Sequence, residues 1–304
     1  MRRTPLIWIV LVSLLFGLSA PWWLGAYFLG IFTTAYYFGV FAMSWDLLFG
    51  FAGEVNFGPT FLIGLGAYGA GLLNTAGWPI PLCLAGGALA AVVGGVALAL
   101  PALRLRGPYF GLITLVAVLL LIDFIVIFAG VTGGEIGMMV PDVLSISARV
   151  NYWYAFGFLV ISGAILFGLS RSSLGLILQA TGQDRIEAAA LGFNVTKHKL
   201  AAFVISALFS GLAGGMLTFY EGTASVDTVV DLSIAVQIII AVVFGGRRTI
   251  LGGVLGAIFL VLFDELLRPL GQLNTFVVSA IALGVILFLP DGVLGVLLRP
   301  REGR

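Results

Sequence analysis

Apolar residues dominate this chain in long unbroken runs, and polar residues serve mainly as short punctuation between them. Ten runs lie between the breakers, at roughly 6–20, 24–45, 57–76, 80–103, 108–129, 152–170, 200–220, 231–246, 250–267 and 275–298. Most approach the ~20 apolar residues with which an α-helix crosses about 30 Å of hydrocarbon. A spanning β-strand would alternate apolar with polar positions, and these runs do not. A helix satisfies its backbone N–H and C=O groups within its own segment, as lipid demands. The pattern therefore predicts an all-α polytopic membrane protein of about ten transmembrane helices, with residues 1–304 forming a single transmembrane domain.

The most polar interruption is "GQDRIEAAALGFNVTKHKL", residues 182–200. It holds the only lysines, Lys197 and Lys199, and the only histidine, His198. Taking Lys197 as cytoplasmic and changing sides at each run leaves only Arg149 and Arg268 outside, out of 15 basic residues. Positive-inside sorting produces such an asymmetry. Both termini and the loop of about 171–199 are therefore expected in the cytoplasm. The opening "MRRTPLIWIVLVSLLFGLSAPWW" has the basic start and apolar middle of a signal peptide. Pro21 directly after Ser19-Ala20 argues against cleavage, so a retained first span is expected.

Composition agrees with this class and removes others. Hydrophobic residues make up 61% of the chain and charged residues 10%, against about 25% charged in a typical soluble domain. The mean hydropathy is +1.15. A net charge of +1 supplies no field to gather nucleic acid. Cys83 is alone and so is His198, which excludes a disulfide and a histidine metal cluster. No G-x-x-x-x-G-K-[ST] occurs, so the chain cradles no nucleotide phosphate in such a loop. No nucleophile–base pair is expected inside the membrane, and neither catalysis nor a bound cofactor is expected. The 42 glycines are about twice the usual ~7%. Gly87, Ala91 and Gly95, then Gly211 and Gly215, then Gly252 and Gly256 recur every fourth residue, a spacing for close helix packing.

Ionisable groups at membrane depth cost somewhere between about 3 and 10 kcal/mol, so each is a candidate site. Asp123, in "LLLIDFIVIF", is either a functional carboxylate or a neutral carboxyl kept in a packed core. Asp46 and Glu54 flank "LLFGFAG", and Asn56 follows. The stretch 46–59 is either a broken helix bordering a cavity or a plain tight loop. Glu54, Asn56, Gly58, Gly66 and Asp123 are the candidate residues of a translocation path. Asp264 and Glu265 precede Arg268 by four and three residues, the spacing of an ion pair at a helix end.

Within the polar interruption, residues 183–191 favour a helix, because Ala188, Ala189 and Ala190 are the strongest formers and Gly192 is a natural stop. At about 1.5 Å per residue it would be about 13 Å long, too short to span. It is also too short to be stable alone, so it must dock. Ile186, Ala189 and Ala190 offer a small apolar face, with Arg185 and Glu187 beside it. That face is too small to hold a membrane surface firmly. Asn194-Val195-Thr196 matches a glycosylation sequon, by chance on a cytoplasmic loop.

Several stretches together resemble one family. They are "DLLFGFAGEVNFGPTFLIGLGAYGAGL" (46–72), "PALRLRGPYFGLITL" (101–115) with "TGGEIG" (132–137), "LGLILQATGQDRIEAAALGFNVTKHKLAAFVISALFSGLAGGM" (174–216) and "ILGGVLGA" (250–257). The chain resembles the permease subunits of ATP-binding-cassette importers for branched-chain amino acids, specifically the second of their two permeases. It departs from that pattern at Asp46, Glu54 and Pro59, and in carrying Asp123 rather than a Glu earlier in its span. The resemblance implies a multi-pass permease of a prokaryotic inner membrane. It implies a coupling helix formed by Arg185, Ile186, Glu187, Ala188, Ala189, Ala190 and Gly192, seated on an ATP-hydrolysing subunit. The implied partners are two such ATPases, which carry the ATP, a second permease in a heterodimer, and a periplasmic or lipid-anchored solute-binding protein. Permeases for urea or short amides, sugars or nucleosides are the neighbouring alternatives. From another class, a stand-alone ion-driven transporter with Asp123 as its proton site also accommodates the residues.

Overall fold

The computed structural model describes residues 3–105 and 108–271, with isolated positions beyond. The expected run at 275–298 lies outside the described residues, apart from those positions. Thirteen α-helices occur among the described residues: α1 (Arg3–Trp23), α2 (Ala26–Asp46), α3 (Pro59–Thr75), α4 (Ile80–Ala102), α5 (Pro108–Ile127), α6 (Ala129–Thr132), α7 (Ala148–Arg171), α8 (Ser173–Gln183), α9 (Arg185–Ala190), α10 (Val195–Glu221), α11 (Val226–Val229), α12 (Leu232–Gly245) and α13 (Leu251–Leu267). Two short strands, β1 (Met138–Met139) and β2 (Thr223–Ala224), pair antiparallel with Met138 opposite Ala224. Among the described residues, six helical stretches are long and apolar enough to cross a membrane: Ala26–Phe51, Ile80–Ala102, Pro108–Ile127, Ala148–Arg171, Val195–Glu221 and Val226–Gly245. The nine runs expected before residue 275 each fall on a helix.

Small residues let these helices touch through their backbones. A Cβ on Gly66 of α3 would collide with the backbone of Gly211 on α10, and one on Gly87 of α4 would meet Gly66 and Ala70. In the other half of the bundle, a Cβ on Gly256 of α13 would strike the Ala241 carbonyl of α12. Where lipid is as apolar as leucine, such contact supplies the dispersion energy that hydrophobic exclusion would supply in water. Around these seams Tyr37, Phe41, Trp45, Phe203 and Phe219 are almost wholly buried. Helix α1 leans on α7 through Gly17, whose carbonyl accepts from the Tyr152 hydroxyl at 2.8 Å.

Alternating helix directions sort the connections to two ends of the bundle. One end gathers 47–58, 103–105, 172–194 and 246–250. The other gathers 128–147 and 222–231, joined by the β1–β2 pair, and there Asn74 Nδ2 at the end of α3 donates to Asp142 at 2.8 Å. The polar stretch 171–199 is less of a loop than expected. Helices α8 and α9 occupy its first part, and α10 begins at Val195 rather than near 200. Asn194 is the reason: its side chain accepts from the Lys197 N–H at 3.0 Å and starts the helix there. Lys197, His198 and Lys199 thus lie in the opening turns of α10.

At the end of α2 the helical ladder widens into a π-turn, Leu47–Phe51, closed by Ala52 N–H donating to the Leu47 carbonyl at 3.3 Å. A Cβ on Gly50 would collide with the Asp46 carboxylate, and the Gly50 carbonyl accepts from Arg248 Nε at 2.7 Å. The fully buried Asp46 accepts from the backbone N–H of Arg248 at 3.0 Å and of Ile250 at 2.9 Å. Both residues have positive φ, 64° and 56°, a conformation costly for any side-chain-bearing residue and most of all for a β-branched one. The carboxylate holds this strained turn between α12 and α13 against the end of α2. Asp46→Ala would strip the acceptor from two backbone donors, at about 1–3 kcal/mol each. A clearly lower unfolding midpoint in detergent is expected, with Asp46→Asn falling between the two.

Candidate functional site

Residues 53–58 interrupt the chain between the π-turn and α3 without helical hydrogen bonding. Asn56 is 1% exposed. Its Oδ1 accepts from Gly58 N–H at 2.8 Å, and its carbonyl accepts from Trp45 Nε1 at 2.6 Å. Phe57 N–H donates to Thr114 Oγ1 on α5 at 3.0 Å. Gly58 lies so close to the Thr114 carbonyl that no Cβ would fit. The stretch joins the end of α2 to α3, and partners on α2 and α5 pack Asn56 and Gly58 inside protein. Its other side, with Gly53, Val55 and Phe57, faces a cleft of about 930 Å³.

The short helix α9 is defined at both ends by side-chain and backbone chemistry. Asp184 accepts from the N–H groups of Ile186 at 2.7 Å and Glu187 at 3.0 Å, satisfying two donors that a helix start leaves free. At the other end Gly192 N–H donates to the Ala189 carbonyl and Phe193 N–H to the Ala188 carbonyl. Gly192 has φ 89°, the left-handed conformation this paired C-terminal motif requires. Ala188 is buried, whereas Ile186 and Leu191 are 80% and 74% exposed. Ala189 and Ala190 are exposed with them, and Arg185 and Glu187 stand beside the apolar patch. The helix is held to its own chain by one alanine and presents the rest.

Two contacts tie the flanks of α9 to the interrupted segment. Before the helix, Gly182 packs against Phe51, Ala52 and Gly53 so closely that a Cβ would stand 2.6 Å from the Phe51 carbonyl. After it, Lys199 Nζ meets Glu54 Oε1 at 2.6 Å, with the two side chains only 8% and 16% exposed. Glu54, Lys199, Arg185, Ile186 and Ala189 all border the same cleft. The two regions that stood apart in the sequence are therefore one site.

The remaining candidates are distributed differently. Asn56, Gly58 and Gly66 are buried in packing contacts, Gly66 against Gly211, rather than on the wall of that cleft. Asp123 is not in a packed core. It lies on the exposed face of α5 with Leu119, Leu120, Phe124 and Ile127, because Ala117, Val118, Leu121 and Ile125 take the buried face. Glu265 pairs with Arg268 at 3.1 Å and also accepts from the Tyr27 hydroxyl. Sequence reading missed Lys199, Thr114 and Gly182 as members of the site. The signal for Lys199 was its rarity: one of two lysines, in the same chain as a lone carboxylate amid apolar sequence.

A bundle of close-packed apolar helices with a capped helix projecting at one end defines a multi-pass membrane protein. Residues 27–290 match the family described as "Branched-chain amino acid transport system / permease component", and the chain belongs to that family of transport proteins. It is 28% identical over 290 residues to the high-affinity branched-chain amino acid transport system permease protein LivM of Salmonella typhimurium, covering 84% of this chain and 67% of that relative. The LivM of Escherichia coli matches with the same identity and coverage. A shorter likeness, 29% identity over 166 residues, covers 52% of this chain and 46% of the autoinducer 2 import system permease protein LsrC of Salmonella choleraesuis. No solved structure matches the chain.

The capping geometry gives a direct check. Asp184→Ala removes about 1 kcal/mol from the helix start. Amide hydrogen exchange across residues 185–190 is expected to quicken several-fold, while exchange in the middle of α10 stays as it was.

Proposed function

We propose that this chain is a transmembrane permease subunit of an ATP-binding-cassette importer for branched-chain or related amino acids, powered by ATP on separate subunits. The observation that carries the reading is α9: a six-residue helix, capped at both ends, with Ile186 and Leu191 unpartnered. A helix so short gains its stability from packing, and most of its apolar surface is left for another protein to cover. Arg185 and Glu187 orient that partner, and the small Ala189 and Ala190 admit close approach. The coupling segment 171–199 delivers the partner's motion to the single permease domain, residues 1–304.

In this reading the chain makes ten spans, with both termini and α9 in the cytoplasm of a prokaryotic cell and the bundle in its inner membrane. The distribution of basic residues supports this orientation, since only Arg149 and Arg268 fall on the opposite side. The contact of Gly17 with α7 supports a retained first span. Two ATPase subunits dock on the inner face, a second homologous permease completes a heterodimer, and a periplasmic or lipid-anchored binding protein brings solute to the outer face. This chain binds no cofactor of its own. The cleft walls include apolar Val55 and Phe57, a lining suited to the apolar tail of such a solute. Asn56, Gly58 and Gly66 back that wall. Asp123, unaffordable against lipid, borders the path between the two permeases. Its exposed position speaks against an ion-driven transporter working alone, whose proton site would sit inside one bundle.

The reading turns on α9. Glu187→Arg combined with Gly192→Pro is expected to lower ATP-driven leucine uptake by the reconstituted importer about tenfold or more, within the usual range of coupling energies. A carrier that needs no ATPase would take up leucine at the parent rate with the same changes.

A further inference from the structure

The Glu54–Lys199 ion pair is largely buried at the edge of the cleft, with 2.6 Å between Oε1 and Nζ. Buried pairs of this kind are poor stabilisers, since desolvation of two ions offsets most of their attraction. An apolar pair would hold segment 53–58 to α10 as firmly, so stability does not account for these residues. A largely buried charged pair adds a fixed geometry, and separating its members leaves each charge uncompensated.

Its place in the chain gives that geometry a use. Lys199 follows α9 and Gly182 precedes it, and both touch the same short stretch, Phe51–Glu54. A displacement of α9 therefore reaches this stretch from both flanks. From there the Trp45–Asn56 and Phe57–Thr114 hydrogen bonds lead into α2 and α5. Val55 and Phe57, on either side of Asn56, face the cleft.

We propose that Glu54 and Lys199 form a strut that transmits displacement of the docking helix to segment 53–58, and so sets the opening of the cleft at the inner end of the bundle. Both are positioning residues, and neither has to touch solute. The inference rests on the ATP-driven reading above and names the linkage within it.

The test uses the complete importer in proteoliposomes, reading radiolabelled leucine uptake and phosphate release together. Glu54→Lys and Lys199→Glu are each expected to lower uptake per ATP hydrolysed about tenfold or more, and the double swap to recover most of the loss. The neutral pair, Glu54→Gln with Lys199→Met, keeps the volume but not the charges, and is expected to assemble and couple poorly. The strut is overturned if the neutral pair couples like the parent. It is also overturned if the swap assembles with the parent's melting midpoint yet recovers nothing. A fall in uptake and hydrolysis in the same proportion, with a lowered melting midpoint, marks a merely structural pair and overturns it as well. The α9 variants separate the two readings. If they leave uptake intact, the importer reading fails; if they uncouple while the charge variants couple normally, only the strut fails.

Discussion

Lipid supplies no hydrogen-bond partner, so any break in a spanning helix must be satisfied by protein. The structure is organised around one departure from helix, between α2 and α3 at one end of the bundle. Where α2 ends, the π-turn and residues 53–58 leave the helical ladder, and neighbouring elements take up the freed groups. Arg248 bonds the Gly50 carbonyl, Trp45 bonds the Asn56 carbonyl, and Thr114 receives the Phe57 N–H. Asp46 returns the favour by fixing the strained turn at 248–250. The interruption thereby binds α2, α5, α10 and the α12–α13 turn at one end of the bundle.

That arrangement places the least helical part of the permease beside the part that projects from it. Asp184 and Gly192 define α9 so sharply that it stands as a separate unit of six residues, yet its flanks are locked to the interruption by Gly182 and Lys199. The small-residue seams between α3, α4 and α10 bring those helices into backbone contact. Helices in backbone contact are packed cores with few intermediate arrangements, so a local push produces a discrete shift rather than a diffuse strain.

Much of this was legible in the sequence. The apolar runs locate nine described helices, since a period-free run of about 20 apolar residues has few other outcomes. The alanine run and the following Gly192 locate α9, because helix propensity and C-terminal capping are local matters, whereas the Asp184 cap emerged only in the structure. The glycine spacings mark the seams for the same reason, although they do not say which helix lies opposite. Less legible was the start of α10. Asn194 looked like part of a chance sequon, whereas its side chain caps the helix and carries Lys197 and Lys199 into its opening turns.

Sequence alone determined the class, the long apolar helices, the alanine-rich projection and the family, because hydrophobic length, helix propensity and local motifs act through neighbours in the chain. Only the tertiary structure decided which carboxylate meets which cation. Glu54 and Lys199 are 145 residues apart, and no local rule pairs them. It also decided that Asp123 faces outward: α5 is apolar on every side, so its own pattern carries no stripe to say which face is covered. What turns a helix of uniform character is the shape of its neighbours, and that information exists only once they have packed.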